Sequence, residues 1–93
     1  MATTVQHNRA RSRYEILVDD RVIGFADYHL VDDTVVFPHT EIEWSMRGQG
    51  LGAELVRQAL DDVRRTGGKV VAACWYVAEF IAEHPEYGNL VAR

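Results

Sequence analysis

A single cysteine, Cys74, stands in the 93 residues, so no internal disulfide can form and no disulfide framework supports the fold. No apolar run approaches the roughly 18–20 residues that a membrane-spanning helix needs. The opening Met-Ala-Thr-Thr-Val-Gln-His-Asn-Arg holds no apolar segment of signal-peptide type. Together these absences lead to the expectation of a cytoplasmic protein. His7, His29, His39 and His84, with the one cysteine, form no ligand spacing for a metal ion. Internal repeats and low-complexity blocks are missing, and no linker follows residue 13. Positive charge is scarce outside the N-terminus. Arg9, Arg11 and Arg13 lie in a stretch without acids, whereas the remainder carries 7 Lys/Arg against 14 Asp/Glu, giving −7 there and −4 overall. So acidic a body argues against DNA or RNA as the main partner and suits a cationic one such as an amine. Residues 1–13, polar and without periodicity, read as a flexible leader. That leaves 14–93 as one small domain.

What is present is enough for a core: 47% of residues are apolar. Tyr14 to Val18 reads as a first strand and Arg21 to Val31 as a second, joined tightly through Asp19-Asp20. Asp32-Asp33 is a second turn of the same kind, leading into a third strand from Thr34 to Trp44. Gly24 and Pro38 inside these strands indicate a bulge, a bend or an edge. From Leu51 to Thr66 the period becomes helical, with Leu51, Leu55, Val56, Ala59, Leu60 and Val63 on one face. Gly67-Gly68 ends that helix. Lys69 to Ala73 is a short apolar strand, and a second helix begins near Trp75 and stops at His84-Pro85. The fold class is therefore α/β, a mixed sheet of four strands with two helices. An antiparallel meander is followed by a βαβ unit, with a right-handed crossover, and a C-terminal helix.

The stretch between the third strand and the first helix is chemically the most distinctive. Arg47-Gly48-Gln49-Gly50-Leu51-Gly52-Ala53 sets a basic residue and three alternating glycines at a helix N-terminus. Backbone N–H groups, the helix dipole and close main-chain approach together make a cradle for an anion. A P-loop would need G-x-x-x-x-G-K-[ST], which is absent. Gly48, Gly50 and Ala53 match G-x-G-x-x-[GA]. However, three strands precede the turn, and the next strand ends in Ala73-Cys74 rather than in a ribose-binding acid, so the dinucleotide fold is excluded. By composition alone a ligand-free β–α turn stays open.

The fuller pattern resembles the acetyl-CoA pyrophosphate loop of the GCN5-related N-acetyltransferases (GNAT). The motif of that family, [RQ]-x-x-G-x-[GA], lies on Arg47-Gly48-Gln49-Gly50-Leu51-Gly52. The order His39-Thr40-Glu41, glycine loop, Lys69-Val70-Val71, Cys74 and His84-Pro85-Glu86-Tyr87 is similar to a compact single-domain subgroup of the family. Members of the subgroup often carry prolines around the cysteine, where this chain has Ala72-Ala73-Cys74-Trp75-Tyr76. The helical pair that larger members insert after their first strand is absent, which implies an acceptor site that is open or completed by a partner, a homodimer included.

The resemblance implies a minimal GNAT-like fold, acetyl-CoA as cosubstrate, no metal, and transfer of an acetyl group to an unidentified amine or peptide. Its implied cofactor site is Arg47, Gly48, Gln49, Gly50, Leu51, Gly52 and Ala53. Acetyl transfer requires a deprotonated amine, a polarised thioester carbonyl and a protonated leaving thiolate. Glu41 could accept the proton, and His39, two residues earlier on the same face, could act as base or orient the acceptor. Cys74, between a strand and a helix N-terminus, could carry the acetyl group covalently. Against each stands the plainer role of solvated carboxylate, hydrogen-bonded histidine or inert buried thiol. Tyr76 and Tyr87 are candidates to protonate the thiolate, while Trp44 and Trp75 are expected to pack. A module that binds CoA without transfer, or an interaction domain that keeps only the fold, are the other expectations.

Overall fold

The computed structural model describes residues 2–92. Five strands lie in sequence order across one sheet: β1 (Thr3–Asn8), β2 (Arg13–Val18), β3 (Arg21–Val31), β4 (Thr34–Ile42) and β5 (Lys69–Ala72). β1 to β4 are antiparallel, and β5 is parallel to β4, as the intervening helix α1 (Leu51–Arg65) requires. Helix α2 (Trp75–Glu83) follows β5, and a run of 3-10 helix over Pro85–Leu90 leads to Val91, which bridges Val70. The α/β class and the meander-plus-βαβ order are as expected from the sequence.

One expectation fails outright. Residues 3–8 are no flexible leader but a strand, in register with β2 from Thr3 opposite Val18 to Asn8 opposite Arg13. The sheet therefore has five strands rather than four. An edge strand with one solvated face needs few apolar residues, so hydrophobic periodicity had little to reveal. On the solvent face Gln6 and Asn8 donate to the buried carboxylate of Glu15. On the helix side Val5 packs on the core and His7 stacks on Tyr14, ring centroids 4.2 Å apart.

His7 also ties β1 to the helix layer. Its Nε2 lies 2.6 Å from the Tyr28 hydroxyl, and its buried Nδ1 lies 3.4 Å from Asp62 Oδ2, without a hydrogen bond. Asp62 is already engaged by the Tyr14 hydroxyl and by Arg65. Burial, helped by the charge of Arg9, pushes the His7 pKa below 6.5 against the opposing pull of Asp62. The folded protein thus holds His7 neutral, and its contribution is complete above the unfolded value and lost as pH falls through it toward the lower folded one. The melting temperature of the parent should fall relative to that of His7→Gln between about pH 7 and pH 5. Parallel curves would show that this ring does not titrate on unfolding.

Both helices cover the same face of the sheet. Leu55, Val56, Ala59, Leu60 and Val63 of α1 and Val77, Phe80 and Ile81 of α2 meet Tyr14, Ile16, Ala26, Phe37 and Val70 in one core. The opposite face has no helix over it. At the β2–β3 hairpin Asp19 and Asp20 both take positive φ (49° and 68°), the twist-matching turn that short-side-chain acids tolerate. Gly24 is needed for close approach: a Cβ there would stand 2.5 Å from Ile42 Cδ1 and 2.7 Å from the Glu41 carbonyl. Gly24→Ala should destabilise the fold by about 1–3 kcal/mol, read from denaturant midpoints, because the backbone carbonyl cannot move aside. An unchanged midpoint would mean that β4 shifts freely.

Of the bulge, bend or edge that Pro38 indicated, a bulge is present, and it decides where His39 and Glu41 point. His29 pairs with Val36 and Asp27 with His39, so Phe37 and Pro38 together oppose Tyr28 alone. The surplus residue reverses the alternation of β4. Phe37 is buried against the helices, yet Thr40 also faces that side, while His39 and Glu41 turn to the uncovered face.

Candidate functional site

β4 and β5 pair only from Thr34 with Lys69 to Phe37 with Ala72. The Cys74 N–H closes the ladder on the Phe37 carbonyl at 2.8 Å. Beyond that point the chain turns into α2 while β4 runs on to Ile42, so residues 38–42 keep one main-chain edge unpaired by β5. The opening between them is a cavity of about 510 Å³. Thr40, Glu41 and Ile42 line one wall, Trp75 and Tyr76 the other, and Met46, Arg47, Gly48, Gly50, Leu51 and Gly52 its end.

That end is built for a negatively charged group. After β4 a single 3-10 turn, Trp44–Met46, sets Arg47 at the entrance to the glycine loop. The third strand therefore ends at Ile42, two residues earlier than its apolar pattern indicated. Arg47 Nε donates to the Ile42 carbonyl at 3.1 Å, and its guanidinium lies 5.5 Å from the centre of the Trp44 ring. Gly48 and Gly50 take φ of 83° and 76°, a region costly for other residues, and neither Cα has a neighbour where a Cβ would project. Gly50 is also the N-cap of α1 and offers no side-chain acceptor. The first main-chain bond of the helix runs from Glu54 N–H to the Gly50 carbonyl, which leaves the N–H groups of Leu51, Gly52 and Ala53 without helical acceptors. Most helices satisfy these with Ser, Thr, Asp or Asn. Here they are free at the positive end of the helix dipole. Glu54, the one acid in that turn, is occupied by Gln58 and Arg57, and these bonds hold its pKa down.

At this same end Tyr76 reaches across from the facing wall to α1. A Cβ on Gly52 would lie 2.5 Å from the Tyr76 hydroxyl, so glycine at this position leaves the phenol its place. Burial, then the charges of Glu79 and Glu83, raise the Tyr76 pKa and keep the proton on its oxygen. Cys74 lies behind this wall, 8% exposed, with its thiol donating to Thr40 Oγ1 at 3.8 Å. Burial acts to raise its pKa. The N–H groups of Val77 and Tyr76, the Thr40 hydroxyl and the Thr40 N–H outweigh that, and the net direction is down.

The residues singled out from sequence are thus distributed unevenly. Arg47, Gly48, Gly50, Leu51, Gly52 and Glu41 line the cavity, whereas Gln49 and Ala53 flank it. His39 sits on the uncovered face with Nε2 3.3 Å from Glu41 Oε2, both side chains about half exposed. Tyr87 is nowhere near the cavity: it is buried, donates to Asp61, packs under Arg64, and has its pKa pushed up to about 12 by burial and by Asp61. Trp44 and Trp75, expected to pack, are 80% and 73% exposed. Thr40, Ile42 and Met46 join the wall unannounced by any motif of their own, although Thr40 stands between two residues singled out for chemistry. No group of three His, Cys, Asp or Glu side chains able to share a metal ion occurs among the described residues, and no helix there is long and apolar enough to cross a membrane.

Known proteins share both the sequence pattern and the fold. The sequence profile of the GCN5-related N-acetyl-transferase family matches residues 13–90. Protein NATD1 of Xenopus tropicalis is 30% identical over 84 residues, which span 87% of this chain and 76% of that protein. The solution structure of a GCN5-like protein from Staphylococcus aureus superposes with a TM-score of 0.73 at 18% identity, covering 96% of this chain and 87% of its own. The crystal structure of PaiA N-acetyltransferase from Thermoplasma acidophilum in complex with coenzyme A superposes with a TM-score of 0.57 at 12% identity, over 80% of this chain and 48% of its own.

Proposed function

The chain belongs to the GCN5-related N-acetyltransferase family, and from that membership we propose that it binds acetyl-CoA along the cavity and passes the acetyl group to an amine. One observation carries the reading: the uncapped N-terminus of α1 opens directly into the unpaired edge of β4, so one continuous groove offers an anion cradle and then a row of main-chain groups. The free N–H groups of Leu51, Gly52 and Ala53, with the left-handed glycines beside them, would hold the pyrophosphate, and Arg47 adds a full charge. The open edge of residues 38–42 would take the amide-bearing arm much as a sheet takes another strand. When bound, acetyl-CoA supplies an acetyl group activated as a thioester.

The residues of the chain divide the proton work. Glu41 takes a proton from the acceptor nitrogen, and His39, against its carboxylate, orients it and shares the charge. The Tyr76 hydroxyl gives its proton to the departing sulfur. Tyr76→Phe should lower kcat by about 10–100-fold while the Kd for acetyl-CoA stays within about twofold. An undiminished kcat would remove Tyr76 as the acid.

A second route has an observation of its own. The N–H groups converging on the Cys74 sulfur favour the thiolate, so Cys74 could receive the acetyl group before the amine does. Mass spectrometry of protein incubated with acetyl-CoA alone would then find an acetyl group on Cys74. A Cys74→Ala protein as fast as the parent would end that route. Calorimetry with acetyl-CoA tests the reading as a whole: no binding at millimolar concentration would remove transfer and simple CoA binding together. Binding without thioester consumption over a panel of amines and peptides would leave a CoA-binding module.

A further inference from the structure

The two outer strands of the sheet are finished differently. Beyond β5 the chain returns: Val91 bridges Val70, and the Ala92 N–H donates to the Val70 carbonyl at 2.8 Å. Beyond β1 no strand follows. The Asp19 N–H donates to the Ala2 carbonyl at 2.9 Å, which sets the alternation of the β1–β2 ladder. Residues 2, 4, 6 and 8 turn their main-chain groups toward β2. Thr3, Val5 and His7 therefore turn theirs outward, an N–H and a C=O from each.

An edge left open is usually blunted by a lysine, a proline, a bulge or an inward charge. β1 has none of these. Thr3 to Asn8 holds no Lys, Arg, Asp, Glu or Pro, and its register with β2 is unbroken, unlike the bulged pairs β2–β3 and β3–β4. Its one titratable side chain, His7, is held neutral by burial.

Charge lies just past the two ends of β1, and its sign differs. After Asn8 come Arg9 and Arg11, exposed and paired with no carboxylate among the described residues. The arginines of β2, β3 and α1, by contrast, each hold a carboxylate or a carbonyl. Beside Ala2, at the opposite end, stand Asp19 and Asp20. Asp19 Oδ1 accepts the Ala2 N–H, and neither aspartate pairs with a cationic side chain among the described residues.

We propose that β1 pairs antiparallel with β1 of a second copy of this chain, about a twofold axis through Val5, joining two sheets into one of ten strands. Val5 faces Val5 of the second copy, and Thr3 faces His7. This register matches every outward N–H with an outward C=O along about 20 Å of edge. It also lays Asn8 against Ala2 of the second copy. Arg9 and Arg11 then come beside Asp19 and Asp20 of that copy, with main chains about 10 Å apart, two strand spacings that the side chains close. A parallel pairing would set arginine beside arginine, and a register slipped by two would leave outward groups unmatched. A strand of foreign sequence would have to bring both charges in the same order. Val5, half-buried in one chain, gains its own counterpart as a neighbour. The cavity is on the β4–β5 side of the sheet, so each copy keeps its own whole, and the inference goes beyond acetyl transfer without depending on it.

Sedimentation of the intact chain at graded concentrations tests the pairing. A monomer–dimer equilibrium with a Kd of about 1–100 μM is expected, since the interface is one strand wide. Val5→Pro deletes the central outward N–H, a position where an edge strand accepts proline without losing its own ladder. It should raise the Kd at least about tenfold and leave calorimetry with acetyl-CoA as it is in the parent. Two charge variants test the ends: Arg9→Glu with Arg11→Glu, and separately Asp19→Asn with Asp20→Lys. Each alone should dimerise at least about tenfold more weakly than the parent. Mixed, they should form a one-to-one dimer, because both ends again meet with opposite charge. A parent that stays monomeric to about 1 mM overturns the proposal. So does a mixture that stays monomeric while the parent dimerises, or a dimer that Val5→Pro leaves as tight as before. The charge exchange decides by itself if Val5→Pro unfolds.

Discussion

Gly50→Val should weaken acetyl-CoA binding by about a hundredfold or more, roughly 2.7 kcal/mol in calorimetry, and by more than it destabilises the fold. The expectation follows from two separate properties of the position. Its φ of 76° is in the left-handed region, where a β-branched side chain costs about 1–2 kcal/mol. Its Cβ would enter empty space rather than a packed neighbour, so nothing inside the protein resists the new side chain. Gly50 lines the cavity beside Leu51 and Gly52, so an isopropyl group there should crowd an anion held at the start of α1. Gly50→Asn is the informative companion, since asparagine tolerates the left-handed conformation. It should restore most of the stability and less of the affinity. If Gly50→Val binds acetyl-CoA like the parent, the glycine loop is not the pyrophosphate site.

Phe37→Ala should be the most destabilising of the substitutions considered, by about 3–5 kcal/mol in denaturant unfolding. Domains of this size have about 5–15 kcal/mol in all, so the variant would be partly unfolded at physiological temperature. Phe37 is 1% exposed, with Tyr14 and Tyr28 about it at ring distances of 6.2 and 6.3 Å. Ala26, Val56, Ala59, Leu60 and Val77 complete its surroundings. Ala26 and Ala59 cannot grow into the hole that its ring would leave. Phe37 is also the last residue of β4 paired to β5, and its carbonyl anchors the Cys74 N–H. Losing the ring should therefore loosen the cavity wall before the sheet itself, seen as faster amide exchange at Cys74 than at Ile16. Phe37→Leu, which keeps most of the volume, should cost less than half as much as Phe37→Ala. Equal losses for the two would mean that ring shape, rather than filled space, is what matters.

Much of this was legible in the chain, for reasons that can be named. α1 shows itself because Leu51, Leu55, Val56, Ala59, Leu60 and Val63 must all reach one sheet, and helical spacing is how they do so. The glycine loop shows itself because left-handed backbone beside a helix start restricts the choice of residue at Gly48 and Gly50. β1 does not show itself. Its stability comes from Gln6 and Asn8 on Glu15 and from His7 on Tyr14, contacts with residues of another strand that carry no local period. The two tryptophans were misread for a related reason. Size and hydrophobicity predict burial for the average residue, and these two indoles, 80% and 73% exposed, depart from that average. Tyr76 and Tyr87 were equivalent candidates by type. Only the packed chain separates them, placing one against Gly52 and the other against Asp61.

The extra residue in β4 has a consequence for how such a chain can change over time. Up to Phe37 the strand answers to the core, and a substitution there is judged by packing. After Pro38 the odd and even positions exchange addresses, and His39 and Glu41 face outward, where nothing in the interior constrains them. One strand therefore carries two independent inheritances, divided at a single proline. The half that holds the molecule together can stay fixed while the outward half, where we propose that the acceptor arrives, drifts. Relatives built on this backbone can diverge in what they acetylate with little cost to their ability to fold.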